Sequence, residues 1–91
     1  MPNYLYLPAD DIESFDIGQF FEKTNIFIEK NRRKTNVLVH CVHGVSRSAS
    51  IILAYLMRRY QKGLEMSLLE IKKIRPKIKP NKGFLTSLQK Y

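Results

Sequence analysis

Val37-Leu38-Val39 is an unbroken aliphatic run that gives way to a loop containing Gly44 and then, from Ala49, to an amphipathic helix. A run of this kind suits a strand buried on both faces, as in a parallel sheet covered by helices. The order strand, loop, helix therefore directs the chain to an α/β architecture, with a ligand expected at the C-terminal end of the strand. The joining segment reads Cys41-Val42-His43-Gly44-Val45-Ser46-Arg47-Ser48. Backbone N–H groups of a short glycine-containing loop at a helix N-terminus converge on an oxyanion. The same field favours thiolate over thiol at Cys41 and holds its pKa below the ordinary thiol range. Arg47 offers a planar fork of donors suited to two phosphoryl oxygens. The amides of Val42, His43, Gly44, Val45, Ser46 and Arg47 complete the cradle, with Gly44 admitting the backbone angles that turn them inward.

The rest of the chain supplies a second strand and more helices. Tyr4-Leu5-Tyr6-Leu7 reads as a strand stopped by Pro8, followed by a polar loop from Ala9 to Ser14. Asp16 with Gln19 three residues on has the spacing of a capping box. Ile17, Phe20, Phe21, Phe27 and Ile28 then predict a helix from about Ile17 to Asn31, with Lys30, Arg32, Arg33 and Lys34 complementing the dipole at its end. After the loop, Ala49, Ile52, Leu53, Leu56, Met57 and Tyr60 form an apolar stripe that Gly63 should end as a C′ residue. Leu68, Leu69, Ile71 and Ile74 predict a third helix closed by Pro76. Lys77 to Lys82 is a basic turn, and Phe84, Leu85 and Leu88 mark a short final helix. Strand–helix–strand implies a right-handed parallel crossover. Two strands flanked by four helices leave a sheet edge open, so a homodimer contact or a further N-terminal segment is expected to cover it.

With 91 residues, the chain is one domain, 1–91. An apolar share of 44% is enough for a core. No apolar run reaches the roughly 20 residues of a membrane span. The single cysteine forms no internal disulfide and no zinc cluster, and a thiolate nucleophile suits a reducing compartment, cytosol or nucleus. Sixteen Lys and Arg against eight Asp and Glu give a net charge of +8, which favours acidic partners. No aromatic residues alternate with the basic ones as on a nucleic-acid stacking platform, so nucleic acid is not required.

The motif His40-Cys41-x-x-Gly44-x-x-Arg47-Ser48 resembles the signature loop of the cysteine-dependent protein phosphatases, and more narrowly of their dual-specificity branch. Ala54-Tyr55-Leu56-Met57 is similar to the helix that follows it. Pro80-Asn81-Lys82-Gly83-Phe84 resembles a segment near the domain end. Leu7-Pro8-Ala9-Asp10-Asp11 with Phe15-Asp16-Ile17 resembles the loop that carries the general acid. The resemblance implies an α/β, cysteine-phosphatase-like fold whose parallel-strand core is flanked by helices. It also implies an N-terminally incomplete chain, covering the C-terminal two thirds or so of the family domain, because the domain's opening elements have no counterpart before Met1.

The activity implied is hydrolysis of phosphotyrosine and phosphoserine/threonine on proteins through a phosphocysteine intermediate, with no cofactor and no metal. Cys41 is the expected nucleophile, Arg47 the phosphate clamp and Asp11 the general acid, with Asp10 as fallback and Asp16 also nearby. Ser48 either hydrogen-bonds the sulfur or is an ordinary helix-start serine. His40, whose side chain should face away from the cradle, is read as structural support, and His43 as a rim residue. Asn81 is expected to brace the loop, although Pro-Asn-x-Gly is also a plain turn sequence. Local chemistry alone also allows Cys41 as a small buried hydrophobe. Three alternatives stay open. RNA 5′-end phosphatases typically carry Arg-Thr-Gly where this chain has Arg47-Ser48-Ala49. Phosphoinositide phosphatases usually place lysines in the loop, and positions 42, 43, 45 and 46 hold none. The third is a non-catalytic phospho-binding remnant.

Overall fold

The computed structural model describes residues 11–32 and 46–91. Both expected strands, at residues 4–7 and 37–39, lie outside them, and the described part is helical. Its first helical segment opens as a 3-10 turn, Ile17–Phe20, and continues as α1, Phe21–Asn31. The expected capping box does not form. Asp16 makes no side-chain cap bond, and Gln19 Nε2 donates instead to the Asp16 carbonyl at 2.7 Å. The tighter 3-10 winding stacks residue i+3 over residue i, which brings this amide to the carbonyl. α1 turns Phe21, Thr24, Asn25, Ile28 and Asn31 inward, a spacing of three and four. Two of its buried polar groups bond locally: Thr24 Oγ1 donates to the Phe21 carbonyl at 3.0 Å and Asn31 Nδ2 to the Phe27 carbonyl at 2.8 Å.

α2, Arg47–Tyr60, is the central helix and packs against α1, α3, Leu64–Ile74, and α4, Lys82–Lys90. Ser48, Ala49, Ser50, Ile51, Leu53 and Ala54 are all buried, so the first half of α2 is enclosed on most sides. Small side chains there let its neighbours approach closely. The expected stripe fades toward the far end, where Tyr60 is 54% exposed. The helix also stops differently from the sequence expectation. Gln61 takes the left-handed conformation (φ 52°), and the N–H groups of Gln61 and Lys62 both bond the Met57 carbonyl. Gly63 has φ −72° and is the N-cap of α3, its carbonyl accepting from Ser67 N–H at 3.1 Å. The turn is tighter than a Schellman stop at Gly63 would make it, so the next helix begins where the previous one was expected to close.

α3 packs chiefly on α2 and shows it only a narrow face of Leu64, Ser67, Leu68 and Ile71. Leu69 and Ile74, part of the pattern that predicts this helix, are 62% and 79% exposed. Arg75 and Pro76 close the helix as expected. Across from it, Phe84 and Leu88 of α4 are fully buried with Ile17, Phe21 and Leu53. Each such side chain contributes about 1.5–3 kcal/mol of burial free energy. Tyr91 follows α4, its ring edge-on to Phe21 at 5.2 Å, its hydroxyl accepting from Asn25 Nδ2, and Arg58 lying over its face at 4.7 Å. Among the described residues no helix is long and apolar enough to cross a membrane.

Candidate active site

The site is built where three sequence-distant segments meet at the start of α2. Ser46 is its N-cap residue, buried, and Arg47 and Ser48 form the opening of the helix. Ser50 holds this end together: its N–H and its hydroxyl both donate to the Ser46 carbonyl, at 3.0 and 2.7 Å. The first turn of α2 carries no acidic side chain, so the partial positive charge of its free N–H groups stays uncompensated from within the helix. An anion is what that end attracts.

Asn81 ties this end to a second segment. Its backbone N–H donates to Ser46 Oγ at 3.0 Å, and its side-chain Nδ2 donates to Asp11 Oδ1 at 3.0 Å. Its Oδ1 accepts from Phe84 N–H at 2.9 Å, which makes it the N-cap of α4. One asparagine thus joins the Asp11 segment, the N-cap of α2 and the start of α4. Pro-Asn-x-Gly is more than a turn here: it braces the site, although Asn81 reaches Ser46 through its main chain. Loss of the cap alone costs about 1 kcal/mol.

Gly83 explains why the two segments can come together. A Cβ built on it would lie 1.9 Å from the Glu13 carbonyl oxygen and 2.7 Å from its carbon. Only a residue without a side chain lets α4 approach the main chain of the Asp11 segment this closely. Gly83→Ala is expected to push that segment away and break the Asn81–Asp11 bond. Overpacking against backbone costs about 1–3 kcal/mol, and each kcal/mol lowers Tm by roughly 4–8 °C in a domain of this size. A thermal midpoint unchanged by the substitution would show that the contact carries no weight.

The geometry separates Asp11 from Asp16. Asp11 is bonded at the N-terminal end of α4, whereas Asp16 lines a cavity of about 260 Å³ with Ser87, Lys90 and Tyr91 at the other end. A nine-residue helix puts those ends about 13 Å apart. Asp10, His40, Cys41, Val42, His43, Gly44 and Val45 lie outside the described residues. The structure therefore brings together Asp11, Ser46, Arg47, Ser48 and Asn81. The sequence reading missed the Ser46 hydroxyl as an anchor, together with Gly83 and the Glu13 carbonyl. A glycine within the first turn of a helix was the available signal.

The larger cavity, about 560 Å³, is elsewhere: it lies between α1 and the far half of α2, lined by Asn25, Ile26, Glu29, Tyr55, Arg58 and Arg59. Arg58 is eleven residues beyond Arg47, about 16 Å along the helix. That volume lies away from the start of α2, where convergent polar groups and a helix end make the candidate site. At this cavity Glu29 accepts from Arg32 at 3.1 and 3.2 Å and from the Tyr55 hydroxyl at 2.6 Å, with Arg59 at 3.6 Å. The Arg32 bonds, then the Tyr55 bond, lower its pKa to about 2. Burial, then the hydrogen bond to Glu29, raises that of Tyr55.

Comparison with known proteins bears on the same residues. Residues 2–91 match the family model described as "Dual specificity phosphatase, catalytic domain". The chain is 48% identical over 82 residues to rat protein phosphatase Slingshot homolog 3, covering 89% of this chain and 13% of that protein. It is 42% identical over 83 residues to the MAP kinase phosphatase with leucine-rich repeats protein 3 of Dictyostelium discoideum, covering 91% of this chain and 10% of that one. Among solved structures it matches the human tyrosine phosphatase-like serine/threonine/tyrosine-interacting protein at TM-score 0.93 and 35% identity, over 97% of this chain and 59% of that one. A mouse putative dual specificity phosphatase complexed with zinc tungstate matches at TM-score 0.91 and 38% identity, over 96% and 55%. The chain thus spans a small part of these full-length relatives and over half of the solved chains.

Proposed function

From the premise that the chain belongs to the dual specificity phosphatase catalytic-domain family, we propose that it hydrolyses phosphotyrosine and phosphoserine/threonine in proteins through a phosphocysteine intermediate. The observation that carries this reading is the Asn81 bridge, which holds Asp11 beside the end of α2 that begins with Arg47. A proton donor and a phosphate-binding helix end in one place are what ester cleavage needs. The finer fold belongs to the same reading: residues 4–7 and 37–39 as strands of a parallel core under the helices. The aromatic character of residues 4–7 and the β-branched character of residues 37–39 support it.

In the first step the Cys41 thiolate forms the S–P bond as the bond from phosphorus to the ester oxygen breaks. Asp11, as the carboxylic acid, gives its proton to the departing oxygen. Arg47 and the loop amides hold the three equatorial oxygens and stabilise their charge in the transition state. In the second step the Asp11 carboxylate takes a proton from water, the water oxygen bonds phosphorus, and the S–P bond breaks to release phosphate. The Ser48 hydroxyl, at the opening of α2, assists the departing sulfur. Neutralisation comes from donors of the chain itself, so neither a metal nor a cofactor enters the step. A thiolate nucleophile favours a reducing compartment, cytosol or nucleus.

Turnover of p-nitrophenyl phosphate in excess chelator tests the reading. Hydrolysis should persist under chelation, be inhibited by tungstate, and be lost on alkylation by iodoacetate, with tungstate protecting the thiol. Activity abolished by chelator and restored by a divalent cation would overturn it. Tungstate binding without any turnover would favour the phospho-binding reading, to which the name of the human relative, an interacting protein, also belongs.

A further inference from the structure

After Glu70 the chain carries no acidic side chain, yet it has Lys72, Lys73, Arg75, Lys77, Lys79, Lys82 and Lys90. The first six run from the end of α3 through the connecting loop into α4, and all are exposed. Among the described residues the ion pairs join Glu29 with Arg32 and Arg59, and Lys62 with Glu70, and none involves this run. Lys72 and Lys73 have a duty within the fold, since cations in the last turn of α3 complement its dipole. Arg75, at the C-cap of α3, shares that duty; Lys77, Lys79 and Lys82 have none. Lys82 works against the fold, because it places a positive charge at the N-terminal end of α4, where the dipole disfavours one.

These charges are held, not loose. Pro76 and Pro80 fix their φ angles, Ile78 N–H bonds the Arg75 carbonyl at 3.2 Å, and Ile78 is buried in the core. Lys79 and Lys82 flank Asn81, the residue bonded to Asp11. Six residues of chain, from Arg75 to Asn81, span at most about 20 Å. The run is therefore a fixed cationic rail that ends beside the reacting ester.

We propose that this rail selects phosphoprotein substrates with acidic side chains within a few residues of the phosphoresidue, Arg75, Lys77, Lys79 and Lys82 meeting the substrate's Asp and Glu carboxylates. The proposal deepens the phosphatase reading and rests on it. Charge complementarity identifies the occupant, and the rigid loop lowers the ordering cost of the contact. A polypeptide fits better than an anionic membrane surface. Of the exposed apolar residues of α3, one, Ile74, lies within the basic run, whereas Met66 and Leu69 stand beside Glu65 and Glu70, whose charge an anionic bilayer repels. RNA is disfavoured as well, because the run from Lys72 to Lys82 contains no aromatic residue on which a base could stack.

The test compares two phosphotyrosine peptides, one with Asp and Glu flanks and one with Ser and Ala flanks, and uses p-nitrophenyl phosphate as a flank-free control. The natural chain should prefer the acidic peptide by about tenfold in kcat/KM, mainly through KM, with the preference shrinking as salt rises. The combined Arg75→Gln, Lys77→Gln, Lys79→Gln and Lys82→Gln variant should lose the preference and keep its p-nitrophenyl phosphate rate. If that variant does not fold, the Lys77→Gln/Lys79→Gln pair should show a partial loss. Equal kcat/KM for the two peptides in the natural chain, or a preference that survives the substitutions, overturns the proposal. Retention on phosphatidylserine vesicles that the substitutions abolish, without any peptide preference, also overturns it and assigns the rail to a lipid surface. Absence of turnover on all three substrates counts against the phosphatase reading instead. Anisotropy of the same labelled peptides then decides the rail separately: acidic flanks must still bind more tightly, or the rail fails too.

Discussion

A Cys41→Ser chain is expected to show no measurable turnover of p-nitrophenyl phosphate while still binding tungstate. A serine hydroxyl at this position stays protonated near neutral pH, so the attacking species is lost. The oxygen would also be a poor leaving group in the second step, so any intermediate formed would not resolve. Removing the nucleophile from such a constellation costs at least ~10⁴-fold in kcat. Tungstate affinity is the control, because the helix end and Arg47 remain. Residual turnover above about one percent of the natural rate would mean that another group attacks phosphorus, and the mechanism would be wrong at its first step. Loss of tungstate binding together with activity would instead mean that the cradle had collapsed.

Asp11→Ala is expected to lower kcat by about 10²–10⁴-fold for phenyl phosphate, and much less for p-nitrophenyl phosphate. The difference is the signature of a proton donor: a stable phenolate departs without help and a basic one does not. Asp10→Ala should leave all of this in place. The assignment fails if the two substitutions exchange behaviour, or if Asp11→Ala slows both substrates equally. Gly83→Ala provides an internal comparison, since it displaces the same carboxylate without removing it.

Local sequence made most of the helical framework legible and little of its joinery. α1, α2 and α4 follow from apolar residues three and four apart, because one buried face is enough to specify a helix. The ends were harder. Gly63 looks like a stop, but Gln61 takes the left-handed position, because the turn closes on the Met57 carbonyl two residues earlier. Leu69 and Ile74 have the pattern of a buried stripe, yet α3 has too little neighbouring surface to cover them. Asp16 and Gln19 have capping-box spacing, but a 3-10 turn is wound too tightly to use it. At the site, Arg47 and Ser48 sit at the start of the helix where the loop pattern placed them. The contact of Asp11 with Asn81 spans seventy positions, and no local propensity encodes that. Family resemblance pointed to both residues; only the fold gives their bond.

That contact has a consequence for how the site can fail. A single amide serves as acceptor for one helix, donor to the acid-bearing segment and, through its main chain, donor to the residue preceding Arg47. On the proposed mechanism phosphate capture and proton delivery therefore share a keystone, so a disturbance at either is felt at the other. Substitutions of Asp11, Ser46 and Asn81 should behave as one thermodynamically coupled unit, the loss from any pair falling short of the sum of its parts.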